Sequence, residues 1–391
     1  MPDIDIVISG VGCISPFGVE RDILCAALRD GASAIGEVVS FDAGGYGCSV
    51  AAEVLDLELS DFIESSKTYI DRTSAYILAA CASALEEAHW KGDESVGLVL
   101  GTAWGCMDSL ELFAEKLVHG KPKFVPPLPF THSYANAPNS LASIEFKLRG
   151  FNACVTNGHV SRLQAVETAC RRIALGKERR LLAGGGEALS ESIFHRYCLR
   201  GELLSAGGPR PYHTGSKGMV LGEGAAVFAI QEAELARQWG DPVLARIGGT
   251  ASCRDDSLAR GLARSMTDAL DRAALVPGDV DVVFGAASGL PTLDASEAEA
   301  LQIVFGGTDA LITSVKALSG EAMGAGGPLS LAAALCSLEE HFAPPTCGED
   351  PPEIDGLHIV AGDALEAPLQ TVLVNAADPS GACTSLVLTT A

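Results

Sequence analysis

Apolar and polar positions follow two rhythms that trade places along nearly the whole chain. "DIVISGVG" (5–12) is a continuous apolar run of the kind that forms a strand buried on both faces. Residues 20–30 then take up helical spacing, and "TSAYILAACASALEEAHW" (73–90) predicts a long amphipathic helix. "VGLVLGTAWG" (96–105) reads as a second buried strand, leading into a helix over "CMDSLELFAEKLVHG" (106–120). "ACVTNG" (153–158) precedes a helix over 160–175, and "RLLAGGGEAL" (180–189) and "GAAVFAIQE" (224–232) follow as strands. This alternation predicts an α/β chain whose sheets are covered by helices.

The pattern also echoes itself. "ESVGLVLGTAWG" (94–105) and "GDVDVVFGAASG" (278–289) share an acidic turn, an apolar strand and a small-residue loop before a helix. Two fused halves would meet near 235–245, dividing the chain into 1–240 and 241–391. "HGKPKFVPPLPFTHSYA" (119–135), rich in proline with interspersed aromatics, stands out as a long irregular segment, expected to line an interface or a substrate.

Composition narrows the function classes. With 48% hydrophobic residues over 391 positions, the chain can bury one large core or two fused ones. No apolar run is long enough to span a membrane, and acids ahead of the first strand do not fit a secretory signal, so a cytoplasmic location is expected. The net charge of −23 argues against nucleic acid or an anionic membrane surface as partner. The twelve cysteines include no CxxC pair, so neither a metal nor a cofactor is expected; they read as small buried hydrophobes of a reducing compartment. His132 and His213 read as lone histidines in polar loops.

Candidate chemistry concentrates in "CVTNGHVSRLQAVETAC" (154–170). A β-branched run stops at Asn157-Gly158, and a helical pattern of Val160, Leu163, Val166 and Cys170 begins at once. The residue after the glycine therefore sits at a sharp strand-to-helix turn beside free helix N–H groups, where enzymes often mount a nucleophile. Here that residue is His159. Cys154 lies five positions too early to replace it and is expected to be buried on the strand.

Six segments in order give the chain a resemblance to the β-ketoacyl synthases of the thiolase superfamily. They are "VISGVGCISPFG" (7–18), "NAPNSLASIEFKLRG" (136–150), "AGGGEAL" (183–189), "PYHTGSKGMVLGEGAAVFAI" (211–230), "SVKALSGEAMGAGGPLSLAAAL" (314–335) and "NAADPSGACTSLVL" (375–388). The resemblance implies a thiolase-like α/β fold in which two duplicated βαβαβαββ halves form an αβαβα layered core. It also implies a Cys at the elbow, two His that stabilise an enolate oxygen, and a Lys nearby. In this sequence His159 stands in place of the Cys, Ala286 in place of the first His and Glu321 in place of the second, while Lys316 is kept. The gating loop reads "DPSG", with Pro379 where the family has Phe. Lys316 and Glu321 are expected to form an internal ion pair.

These departures resemble the chain-length factors, or KSβ subunits, of type II polyketide synthases and related polyene systems, although those commonly carry Gln at the elbow. "VFGAASGLPTLDASEAEALQIVFG" (283–306) and "GGPLSLAAALCSLEEHFAPPTCG" (326–348) are similar to that branch. The resemblance implies no catalytic residue, a heterodimer with an active ketosynthase subunit, and an acyl carrier protein met through the complex. It places a tunnel-facing helix at 106–118, with Met107, Leu110 and a deep-lying Ala114 on one face and Phe113 and Leu117 on the adjoining stripe. The strand "NACVT" and residues 106–135 are expected at the interface. The alternative is a repurposed thiolase-fold acyltransferase or malonyl decarboxylase that uses His159 and acts as a homodimer.

Overall fold

In the computed structural model, which describes residues 4–93, 95–323, 326–346, 352 and 354–391, the frame is built from strands whose order repeats. They are β1 (Ile6–Ile14), β2 (Val96–Gly101), β3 (Asn152–Val155), β4 (Arg180–Glu187), β5 (Gly224–Glu232), β6 (Ala245–Arg254), β7 (Val282–Phe284), β8 (Leu311–Thr313), β9 (Thr371–Ala377) and β10 (Ala382–Thr389). Across the sheet they run β8-β7-β9-β10-β6-β1-β5-β4-β2-β3, with a short strand, His358–Ile359, beyond β8. Each of the first five has its counterpart five strands later, at the mirrored position. Pairing senses repeat as well. β2 is parallel to β3 and β4, as β7 is to β8 and β9. β5 is antiparallel to β4 and β1, as β10 is to β9 and β6. The two units join through a short antiparallel seam, Val7↔Arg246 and Ile8↔Ala245, on β1 and β6.

Besides two short helices, Ala233–Trp239 and Lys316–Ser319, the helices are α1 (Arg21–Arg29), α2 (Arg72–Glu87), α3 (Met107–His119), α4 (Pro127–His132), α5 (Ala137–Glu145), α6 (Ser161–Ala174), α7 (Glu191–Leu199), α8 (Leu258–Ala273), α9 (Pro291–Phe305) and α10 (Gly326–Glu340). α2 packs on the outer face of the first unit, and α8 and α9 cover the second. α6 and α10 lie between the two, giving five layers, αβαβα. This arrangement explains the sequence pattern: α10 is buried from Gly326 through Leu338 and is accordingly apolar all round, while β1 is buried at every position. α2 is capped by Asp71, whose carboxylate accepts from the Ser74 N–H at 2.9 Å. It lies so close to β1 that a Cβ at Gly12 would stand 1.8 Å from the Ala80 carbonyl oxygen. Among the described residues, no helix is long and apolar enough to cross a membrane.

Four sequence expectations need correction. Residues 119–135 are not one irregular loop: α3 runs to His119, a 3-10 turn spans Pro122–Phe124, and α4 follows. Pro122 and Pro127 open these turns, where a missing N–H costs nothing and the fixed φ suits the first helical position. Two cysteines are not free hydrophobes, because Cys25 on α1 and Cys336 on α10 form a disulfide, with Cα atoms 5.5 Å apart and 311 residues between them; Cys347 lies outside the described residues. Cys154 is half-buried, since β3 is an edge strand. Ala114 is not deep: Ser109 is the buried residue of α3, and Leu110, Ala114 and Leu117 are exposed.

Candidate functional site

The turn between β3 and α6 is built from its own polar atoms. Ser161 Oγ accepts from the Asn157 N–H at 2.7 Å and donates to the Gly158 carbonyl at 2.6 Å. Gly158 has φ +62°, and a Cβ there would stand 2.1 Å from Asp378 Oδ2, so only glycine fits. His159 follows. Its backbone N–H donates to Asp378 Oδ2 at 3.0 Å, and its Nε2 lies 3.3 Å from the Tyr197 hydroxyl on α7. Burial works to raise the Asp378 carboxyl, but the hydrogen bonds from Ser380 and the His159 backbone outweigh it and hold the group below its ordinary value.

His159 opens onto a pocket of about 390 Å³ walled by Trp104, Arg196, Tyr197, Met219 and Pro379. Pro379 thus stands beside His159, in the 378–381 turn between β9 and β10. The Trp104 indole donates to Met323 Sδ at 3.0 Å, and the Arg196 guanidinium lies over its ring, 5.6 Å from the centroid.

Ala286, Lys316 and Glu321 come together in a second, closed cluster. Lys316 Nζ donates to the Ala286 carbonyl oxygen at 2.6 Å and lies 2.6 Å from Glu321 Oε2, with the two side chains 6% and 1% exposed. The expected ion pair is therefore formed. Glu321 faces the first residue of α10: a Cβ at Gly326 would stand 2.7 Å from Glu321 Oε1. The positive end of that helix favours the carboxylate there. The Ala286 N–H donates to Glu297 Oε1 at 2.8 Å, and Glu297 also accepts from Ala287 N–H, the Tyr212 hydroxyl and Asn375 Nδ2. Beside it, Asp294 accepts three backbone N–H bonds, yet burial still pushes its carboxyl up to about 7.

Sequence reasoning missed Arg162. It sits one residue before Leu163 in a helical stripe that periodicity reads as apolar, and its side chain is fully buried. Its guanidinium donates to the Gly186 carbonyl and, at 2.8 Å, to Glu187 Oε2. Burial lowers its pKa to about 10, with Glu187 and Glu321 pulling the other way. Glu187 in turn accepts from the Thr102 hydroxyl and the Ala103 and Trp104 N–H groups, so this pair fixes the loop carrying Trp104. The pocket wall of Trp104, Arg196 and Tyr197 was missed too, because α7 and the loop after β2 are far from the elbow in sequence.

The remaining candidates lie elsewhere. Met107 packs at the edge of the small cluster around Phe194. Leu110 and Ala114 lie on the exposed side of α3, and the Phe113 ring packs tilted against Phe130 of α4, centroids 5.0 Å apart. His132 closes α4, with its ring edge-on to Tyr69.

Chemically, the His159 pocket offers an imidazole, a phenol and the guanidinium groups of Arg196 and Arg200, and no thiol. The Ala286 side chain has no donor, and Glu321 would repel an enolate.

Models of the β-ketoacyl synthase N-terminal and C-terminal domains match residues 3–236 and 245–350. The chain is 30% identical to the tetracenomycin polyketide synthase ketoacyl synthase beta subunit of Streptomyces glaucescens, covering 98% of each protein. It is 28% identical to 3-oxoacyl-[acyl-carrier-protein] synthase 2 of Coxiella burnetii, again over 98% of each. Among solved structures, the ishigamide ketosynthase/chain length factor superposes with a TM-score of 0.94 at 25% identity, covering 99% of both chains. Overall similarity thus extends both to a protein named as a synthase and to one named as a beta subunit. The side chains at the site are what can separate those roles.

Proposed function

The chain belongs to the β-ketoacyl synthase family, and from that premise we propose that it is the noncatalytic partner of an active ketosynthase, setting chain length in polyketide or polyene assembly. The observation that carries this reading is the buried Lys316–Glu321 pair, with Glu321 at the position where the resemblance expects the family's second His. With His159 at the elbow there is no thiolate to hold an acyl group, and with Ala286 there is no second donor.

Two surface features support pairing. Among the described residues β3 ends the sheet, and its Cys154 thiol donates to the Ala135 carbonyl just after α4; α3 and α4 expose Leu110, Leu117, Leu128 and Phe130, each between 42% and 45% exposed. An unpaired edge and an apolar patch in one place are what a stable partner covers. Docking of an acidic acyl carrier protein would fall to basic residues of the active subunit, since this chain carries a charge of −23.

Co-expression with a ketosynthase that has an intact Cys-His-His set is expected to give a stable heterodimer that condenses malonyl units, while this chain alone consumes none. Robust malonyl turnover by the isolated chain, lost in His159→Ala, would overturn the reading in favour of a decarboxylase. The observation on that side is His159 itself, which faces an open pocket. Because Ala114 is exposed on α3, it is available to a tunnel formed at the interface. Ala114→Phe in the assembled complex is expected to shorten the products by at least one extension unit, read by mass spectrometry of carrier-bound chains. Unchanged product length would remove α3 from the tunnel.

A further inference from the structure

Two thiols far apart in sequence meet across the sheet at the foot of the 378–381 turn. Cys253 on β6 and Cys383 on β10 are directly opposed partners in the antiparallel ladder. Such partners point to one face of the sheet with Cα atoms about 4.5–5.5 Å apart, inside the roughly 4.4–6.8 Å that a disulfide spans. Both sulfurs lie under the first turn of α8. The Cys253 thiol donates to the Gly261 carbonyl at 3.1 Å, and the Cys383 thiol reaches the Leu258 carbonyl at 3.9 Å. A Cβ at Gly261 would stand 3.0 Å from Cys383 Sγ, so the glycine leaves the sulfur its room.

The two members of the pair differ. Cys253 is half-buried, and Cys383 is buried behind it. Arg264 of α8 brings its guanidinium within hydrogen-bond reach of the Cys253 sulfur, and that bond and the sulfur's charge raise the arginine's pKa. A partly exposed thiol beside a cation is the setting of a reactive cysteine. The Asp255 carboxylate, which would oppose a thiolate here, is paired with Arg260 at 2.7 Å and Arg264 at 3.7 Å. Burial, and then the charge of Cys253, push the Cys383 thiol up to about 12, so it keeps its proton while its neighbour reacts.

We propose that Cys253 and Cys383 form a reversible dithiol–disulfide site that reacts with hydroperoxides. The Cys253 thiolate attacks the peroxide: an S–O bond forms, the O–O bond breaks, and the leaving alkoxide or hydroxide takes up a proton, giving a sulfenic acid. The Cys383 sulfur then attacks the Cys253 sulfur. The S–S bond forms, the S–O bond breaks, and hydroxide departs with the Cys383 proton as water. Two thiols are thereby oxidised, and one hydroperoxide is reduced to an alcohol and water. The new bond fastens the end of β6 to the start of β10, two residues after Gly381, and so holds the base of the turn that carries Asp378 and Pro379. The site is independent of the proposed partner role, since a chain that pairs with no ketosynthase would still react.

The test treats the purified full chain with hydrogen peroxide, blocks the remaining thiols with iodoacetamide, and maps the peptides by mass spectrometry without reduction. The expected product is a Cys253–Cys383 cross-linked peptide pair that dithiothreitol separates again. Cys383→Ser should stop the reaction at the Cys253 sulfenic acid, which dimedone traps. Arg264→Gln should slow the oxidation about tenfold, as loss of an adjacent counter-charge implies, whereas Arg264→Lys keeps the charge and most of the rate. Arg264 is exposed, so these two variants test the site even where Cys383→Ser is unstable, with circular dichroism checking the fold of each. Cys253 and Cys383 staying reduced while peroxide oxidises other cysteines would overturn the proposal. So would linkage of either to a different cysteine, or a rate unmoved by Arg264→Gln.

Discussion

Glu321→Gln is expected to destabilise the protein by about 3–5 kcal/mol, the range for removing one partner of a buried ion pair. The substitution leaves the Lys316 ammonium, 6% exposed, facing a neutral amide and the Ala286 carbonyl with no counter-charge. Glu321 depends on Lys316 just as strongly, since among the described residues neither of its oxygens accepts an aligned hydrogen bond. The pair is therefore held by charge and by its place at the start of α10. Two ions taken out of water recover little net stability even when well placed, whereas apolar groups of similar volume incur no such desolvation. The double variant Lys316→Met/Glu321→Leu should accordingly regain most of what Glu321→Gln loses. Urea denaturation followed by circular dichroism reads both effects. A double variant no more stable than the single one would mean that the pair contributes more than mutual neutralisation.

The same reasoning ranks the neighbouring pair differently. Glu187 has the Thr102 hydroxyl and two backbone N–H groups besides Arg162, so its charge remains solvated if the arginine is lost. Arg162 has no comparable support: its Nε and Nη1 have no partner among the described residues. The arginine is the dependent member. Its retention ties the first turn of α6 to the loop carrying Trp104, and so the elbow to the pocket wall.

What could be read from the sequence follows from how local each signal is. Strands β1, β2, β4 and β5 and helices α2 and α6 announce themselves through periodicity, because each buries a face that its own residues define. The elbow is local as well, carried by Asn157, Gly158 and the stripe of α6. Lys316 and Glu321 are five residues apart, close enough for the pair to be anticipated. The disulfide is the opposite case: 311 residues separate Cys25 and Cys336, and each reads as one more apolar position on its helix. Arg162 escaped because periodicity treats a charge within an apolar stripe as solvated, when burial plus Glu187 makes it internal. Ala114 was misplaced for a related reason. Helical spacing identifies a face but not what covers it, and the apolar side of α3 is left uncovered by this chain.

That uncovered side supports the second large effect. Leu128→Asp/Phe130→Asp is expected to weaken association with the proposed ketosynthase partner by about 100-fold or more, the scale for losing central apolar anchors. The folding stability of the isolated chain should change by no more than about 1 kcal/mol. The contrast follows from exposure: Leu128 and Phe130 are 45% and 43% exposed in the single chain, so burying a charge beside them costs little until a partner arrives. Phe130 lies at the centre of an aromatic row, 5.0 Å from Phe113 and 5.4 Å from Tyr134, and rigid aromatic clusters of this kind supply much of an interface's energy. β3 adds the second component. It has four residues, pairs with β2 on one side only, and leaves its other edge open beside that row. A partner that covers both would extend the sheet and bury the aromatics in one step. Size-exclusion chromatography with a dilution series measures the association, and urea denaturation of the isolated variant measures its stability. Loss of pairing with stability unchanged would assign this surface to the partner; loss of both would assign it to the chain's own fold, and retention of pairing would move the interface elsewhere.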